Sequence, residues 1–69
     1  MNQPAGTELA GRTIAFLVAP EGAEQVELTE PWAAVRQAGG SPQLISTVSG
    51  SVQAFHHLDR GDSFPVDHT

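Results

Sequence analysis

Few residues in this chain have the chemistry to form a reactive site. It carries eight carboxylates, three arginines (Arg12, Arg36 and Arg60), three histidines, no lysine and no cysteine. Three of the acids, Glu24, Glu27 and Glu30, recur every third residue just after a hydrophobic segment that ends at Pro20. That spacing suits the start of a helix, where the backbone dipole stabilises anions. In open α/β sheets, ligands bind beyond the carboxyl ends of the strands. Glu27 falls a turn or two past such an end and is expected to point into a site. A carboxyl there feels two opposed effects: removal from water favours the neutral acid, and the helix N-terminus favours the anion. As a neutral acid it would donate a hydrogen bond to a nearby anion or thiolate. The plainer reading is that all three glutamates complement the dipole in solvent.

The remaining candidates are weaker. His56 and His57 are adjacent on an extended segment, so they project to opposite faces and do not readily share one ion. His68 stands apart, and no metal site is expected. His57 with Asp59 makes a possible oriented pair, but no nucleophile lies at a diagnostic spacing. Ser46, Ser49, Ser51 and Ser63 occupy no nucleophile-elbow context. The absence of cysteine excludes disulfides, thiolate zinc sites and a cysteine nucleophile within these residues. Gly22 stands alone, with neither a dinucleotide fingerprint nor a Walker loop, so no cofactor is expected. Arg60-Gly61-Asp62 spells an adhesion tripeptide, yet Asp-Arg-Gly-Asp is an ordinary turn composition. A net charge of −5 leaves too few cations to bind nucleic acid or acidic lipid.

These residues need a scaffold, and the chain predicts a small one. Sixty-nine residues allow one domain at most, marginal on its own. Hydrophobic content of 39% with 16% charge is that of a folded chain. Residues 1–11 have no sustained period and are expected to form a flexible tail. Thr13 to Ala19 is apolar without alternation, the pattern of a strand buried on both faces in a parallel sheet. Pro20-Glu21-Gly22 breaks it.

From Ala23 to Ala38 the period is helical. Val26, Ala33 and Ala34 line one stripe, and Leu28, Trp32 and Val35 the next. Arg36 lies in the last turn, and Gly39-Gly40 supplies the stop. Pro31 predicts either a kink or a main helix that starts there. Pro42 to Val48 reads as a second strand, which completes a βαβ unit. Ser49-Gly50-Ser51 is a turn and Val52 to His57 a third extended piece. Asp59 to Asp62 reads as another turn, and Ser63 to Val66, with Pro65, as an edge or irregular end. Trp32 and Phe55 are expected in the core or at an interface.

The longest apolar run, Ile14 to Pro20, has seven residues, against roughly 20 for a membrane helix. It is also short for a signal-peptide core, so a cytoplasmic setting is expected.

Taken together, Thr13 to Val18, the run Glu21-Gly22-Ala23-Glu24-Gln25-Val26-Glu27-Leu28-Thr29-Glu30-Pro31-Trp32, Ala38-Gly39-Gly40 and Leu44-Ile45-Ser46 resemble the opening of the PfpI family. These are intracellular protease-like proteins, relatives of the Parkinson-disease-associated deglycase, within the class I glutamine amidotransferase-like superfamily. Val52 to Asp67 resembles one branch of it, so the likeness spans residues 12–69. The glutamate–x–Val–Glu–Leu pattern with its following proline is the specific part.

The resemblance implies a flavodoxin-like α/β sandwich, of which residues 12–69 would be the N-terminal βαβ portion plus a short β extension. It implies oligomers, and a nucleophilic cysteine on a strand-to-helix elbow, touched by a conserved glutamate that matches Glu27. It also implies peptide hydrolysis or glyoxalase/deglycase action, with stress protection. No elbow cysteine occurs here, and His56, His57 and His68 precede the place of the family's histidine.

The chain is therefore expected to be an N-terminal third, silent alone. Its expected partner is another copy or a complementing C-terminal half, with a small-molecule or peptide substrate only in the complete enzyme. A non-enzymatic interaction piece is the alternative. A regulator's N-terminal domain is disfavoured by the acidic charge. With one helix and a bare sheet face, the isolated chain is expected to be oligomeric, molten or aggregated.

Overall fold

The computed structural model describes residues 8–69. Five strands and one helix follow in the order β1 (Thr13–Leu17), β2 (Glu21–Glu24), α1 (Gln25–Gln37), β3 (Ser41–Ile45), β4 (Ser51–His56) and β5 (Asp59–Pro65). β1 and β3 form a parallel pair, with Ile14 beside Pro42 and Phe16 beside Leu44. β2, β4 and β5 form a second sheet in that order, with β2–β4 parallel and β4–β5 antiparallel. The architecture is a small α/β fold with both parallel and antiparallel pairing.

The β1–α1–β3 unit lies where the periodicity puts it. α1 begins at Gln25, however, so Pro31 lies inside it rather than at its start. Proline has no N–H, so the Glu27 carbonyl loses its acceptor role in the helical ladder. The helix ends as the two glycines predict. Gly39, at φ 88°, donates its N–H to the Arg36 carbonyl (3.0 Å), and the Gly40 N–H reaches the Val35 carbonyl (2.9 Å). This is the Schellman pattern of paired bonds that satisfies a helix's last carbonyls. A methyl group on Gly40 would lie 2.9 Å from Val35 Cγ1, so this close turn also needs a bare backbone.

Two segments differ from expectation. Pro20-Glu21-Gly22 is not merely a break, because Glu21–Glu24 pairs with β4. Gly22, at φ 106°, is the extra residue of a bulge between Glu21 and Ala23. Asp59–Asp62 is strand rather than turn. The reversal instead falls on His57-Leu58, a two-residue loop closed by the pair His56 and Asp59. His57 takes the left-handed φ of 57° that such a loop requires at its first position. Composition pointed to the glycine, but the ladder with β4 decides where the chain turns. β5 is an edge strand with Pro65 at its end, as its sequence suggests.

The expected tail falls, for residues 1–7, outside the described residues. Residues 8–11 form a turn held by the Leu9 N–H on the Ala38 carbonyl (2.8 Å) and the Arg12 N–H on the Leu9 carbonyl (2.9 Å).

α1 lies over both sheets. Leu28, Leu44 and Val52 form the buried cluster, flanked by Phe16, Val18, Trp32, Phe64 and Val66. The Phe16 and Trp32 rings pack at 5.4 Å between centroids, tilted by 42°. The sequence predicts β1 buried on both faces, and its burial alternates instead. Ile14 and Phe16 are half-buried, Phe16 against Trp32 of the helix, while Ala15 and Leu17 are exposed, Leu17 by 81%. The Cα extents of 36 × 25 × 13 Å explain this. The thin dimension holds one layer of strands under one helix, with no second layer among the described residues to cover the far face.

Gly39→Ala should lower the unfolding free energy by about 1–2 kcal/mol, the cost of a left-handed conformation for a residue with a Cβ. A thermal midpoint followed by circular dichroism, several degrees below that of the parent chain, is the expected readout.

Candidate functional site

Where β1 ends, the chain passes through Val18 and Ala19 into β2 and α1. This junction walls a cleft of about 240 Å³ lined by Phe16, Leu17, Val18, Ala19, Ala23, Glu24, Glu27 and Leu28. The cleft therefore sits at the carboxyl end of a parallel strand. Its floor is fixed by a buried serine: the Ser46 hydroxyl, just past β3, donates to the Val18 carbonyl at 2.6 Å. Ser46 holds the end of β1 in place and is fully satisfied, as a buried hydroxyl must be.

Glu27, in the first turn of α1, stands on the cleft wall with its side chain exposed. Leu28, the next residue, is 5% exposed. Successive helix positions turn by about 100°. Burial of Leu28 thus swings Glu27 to the rim. Glu24, the other acid at the cleft, is already committed. Its carboxylate accepts the His57 backbone N–H at 3.1 and 3.2 Å. It is the N-cap residue of α1 but makes no side-chain cap bond. It fastens the β4–β5 hairpin to the start of the helix instead. Glu30 is exposed on the helix surface, one turn on from the cleft.

A second fastening lies next to it. Two residues of β5, Gly61 and Asp62, oppose the single Ala54 of β4, which makes a bulge. The Asp62 N–H is taken by Gln25 Oε1 at 2.7 Å, and Gln25 Nε2 donates to the Asp62 carboxylate at 3.0 Å. Gln53 Nε2 donates to the Gly61 carbonyl at 2.8 Å. A Cβ on Gly61 would collide with Gln25 Oε1. The tripeptide Arg60-Gly61-Asp62 is therefore part of an edge strand, with its aspartate clamped, and is not a protruding turn. Sequence reasoning missed these fastenings because bulges and left-handed loop residues follow from strand pairing.

The histidines do not converge. His56 closes β4, His57 forms the loop, and His68 bridges to Ile45 on the far side of β3. Among the described residues no group of three or more His, Cys, Asp or Glu side chains is placed to hold a metal ion. A groove of about 320 Å³ between α1 and β5, lined by apolar Leu28, Trp32, Leu44 and Phe64 with Arg36 and Asp67 at its polar margin, lies on the other flank of the core. Asp67 is engaged there, accepting the Leu44 N–H at 2.7 Å. No helix among the described residues is long and apolar enough to cross a membrane.

The junction can present one carboxyl, Glu27, over an apolar cleft beside the first-turn amides of α1. Such amides favour an anion. It holds no nucleophile of its own. No protein-family model matches this chain, and no curated protein is detectably similar to it in sequence.

Gly61→Ala and Gln25→Ala should each speed hydrogen exchange at the Asp62 amide by about fivefold to tenfold, the worth of about 1 kcal/mol of hydrogen bonding. The double variant should show no more than either single one. Additive effects, read by NMR, would mean that glycine and glutamine do not serve one clamp.

Proposed function

We propose that residues 12–69 are the N-terminal portion of a PfpI-like cysteine-dependent hydrolase, of the intracellular protease or glyoxalase/deglycase type that protects against stress. In this reading they begin a flavodoxin-like parallel sandwich that works in the cytoplasm. Glu27 supplies the acid. The nucleophile is a cysteine thiolate on an elbow carried by polypeptide beyond these 69 residues.

One observation carries the proposal: Glu27 stands on the cleft at the carboxyl end of β1, while its neighbour Glu24 is bonded elsewhere. Chain laid over the cleft would remove Glu27 from water and favour its neutral form. A neutral carboxyl then donates a hydrogen bond to the sulfur anion, which stabilises the thiolate and keeps it reactive at neutral pH. The apolar walls of Phe16, Leu17, Val18 and Leu28 would exclude water from that pair. Without a sulfur the arrangement has an acid and no nucleophile, so these residues alone are catalytically silent.

A second reading treats the chain as a non-enzymatic interaction piece, pairing with a full-length paralogue or a separately encoded C-terminal half. The exposed apolar face of β1, with Leu17 at 81% exposure, favours it.

Purified chain incubated with methylglyoxal, or with a fluorogenic peptide, should turn over no faster than its Glu27→Gln variant. Turnover that Glu27→Gln abolishes would overturn the proposal. Flanking genomic DNA, read in all three frames, should encode a small-residue-Cys-His-Gly elbow. Joined to that segment, the chain should gain activity, and Glu27→Gln should lower kcat/KM by about 100-fold or more. A locus with no such elbow would leave the interaction reading.

A further inference from the structure

We propose that the groove between α1 and β5 is a binding site for a free α-amino acid with an aromatic side chain, phenylalanine being the type. The site lies on the flank of the core away from Glu27 and does not rest on that residue's role. It uses no sheet edge, so strands added beside these would leave it in place.

The groove encloses about 320 Å³, the lower end of what small-molecule sites hold. That suits a ligand of amino-acid size rather than a nucleotide or a sugar chain. Its floor is Leu28 and Leu44, 5% and 1% exposed, so it reaches down to the core cluster. Trp32 of α1 and Phe64 of β5 stand over that floor, each half-buried. Trp32 is braced by Phe16, whose ring packs 5.4 Å away and is no part of the groove's lining. An aromatic ring that enters between Trp32 and Phe64 meets ring faces and edges, the contacts that aromatic pairs favour beyond simple burial.

Charge decides which aromatic compound fits. Two charged side chains line the groove, and they differ in sign. Arg36 extends from the last turn of α1 and Asp67 from the chain just past β5, so they stand on facing walls. Asp67 is set in place before any ligand arrives. Its N–H donates to the Leu44 carbonyl at 2.8 Å, and its Oδ2 accepts the Leu44 N–H at 2.7 Å, which leaves Oδ1 for a ligand. A simple acid would suit Arg36 but bring a second anion to Asp67, and a simple amine would do the converse. A zwitterionic head suits both: its carboxylate accepts from the guanidinium, and its ammonium donates to Asp67.

The helix supplies the spacing. Trp32 and Arg36 are one turn apart on one face, about 6 Å along the axis. A ring held against Trp32 therefore places its head group at Arg36, a step comparable to the reach from ring to carboxylate in phenylalanine. The mouth is open, since Arg36 and Asp67 are both exposed, so the charge contacts compete with water and the complex is weak, with a Kd of about 0.1–1 mM.

Trp32 is the chain's one tryptophan, so its fluorescence reports on the groove directly. Titration of the full chain with L-phenylalanine should shift that emission and saturate. Phenethylamine, which lacks the carboxylate, and hydrocinnamate, which lacks the ammonium, should each bind about tenfold more weakly. Arg36→Met should weaken phenylalanine by about tenfold without weakening phenethylamine. Asp67→Asn, whose amide oxygen still accepts the Leu44 N–H, should weaken phenylalanine by a similar factor without weakening hydrocinnamate. No response to phenylalanine at millimolar concentration overturns the proposal. So does equal binding of the three compounds, which would mark a merely apolar patch, or phenylalanine binding that neither substitution changes. If Asp67→Asn alters the circular dichroism spectrum, Arg36→Met decides: lost discrimination between phenylalanine and phenethylamine supports the site, and retained discrimination refutes it.

Discussion

The contact of Leu28 with Leu44 and Val52 holds this molecule together. Leu44 belongs to the β1–β3 pair and Val52 to the three-stranded sheet, and the two sheets share no ladder. One leucine of the helix therefore packs against both, beside the backbone bonds by which Asp67 and His68, just past β5, reach Leu44 of β3. Leu44 and Val52 are each 1% exposed and Leu28 is 5% exposed. Emptying such a leucine position typically costs 2–5 kcal/mol, a large part of what a small domain has. The same contact fixes the rotation of α1, and with it the side on which Glu27 emerges. Core packing and site geometry thus rest on one side chain.

Much of this was legible in the residues. The leucine–tryptophan–valine spacing named the packed stripe of α1, and the stripe is what lies on the core. The double glycine named the helix end because only a residue without a Cβ adopts the left-handed turn cheaply. Glu27 was legible as an acid near a strand's carboxyl end, since that position needs only the order of strand and helix. The β5 strand was not legible. Its Asp-Arg-Gly-Asp run has poor strand propensity, and pairing with β4 overrides propensity here. The commitment of Glu24 to His57 was hidden for a related reason, being a bond across 33 residues of sequence. The helical span from Ala23 missed β2 because four residues cannot display a period.

Glu24 and Glu27 illustrate how a fold separates two like groups. Both are glutamates, three positions apart, at one helix start. An N-cap carboxylate ordinarily bonds the first-turn amides. Glu24 gives that role up and holds the amide of His57, whose left-handed conformation is an uncommon one for a residue with a side chain. Two consequences follow. The hairpin is anchored to the helix at the point where it would otherwise swing free, with Gln25 and Asp62 adding the neighbouring anchor. The first-turn amides are also left without a side-chain cap beside the Glu27 cleft, which makes that end of the molecule receptive to a negative group.

Of the edge strands, β1 and β5 are finished differently, and the difference is physical rather than decorative. β5 carries charges, a proline and a bulge whose loose amide is claimed by Gln25. Each of these obstructs a further strand. β1 has an uninterrupted apolar run between Arg12 and Glu21, with regular pairing to β3 and outward backbone groups at alternate positions. A strand that must be apolar on both faces suits the middle of a layered sheet, and here only one face is layered. The sequence of β1 is therefore matched to more contact than its own chain provides among the described residues, whereas the sequence of β5 is matched to water.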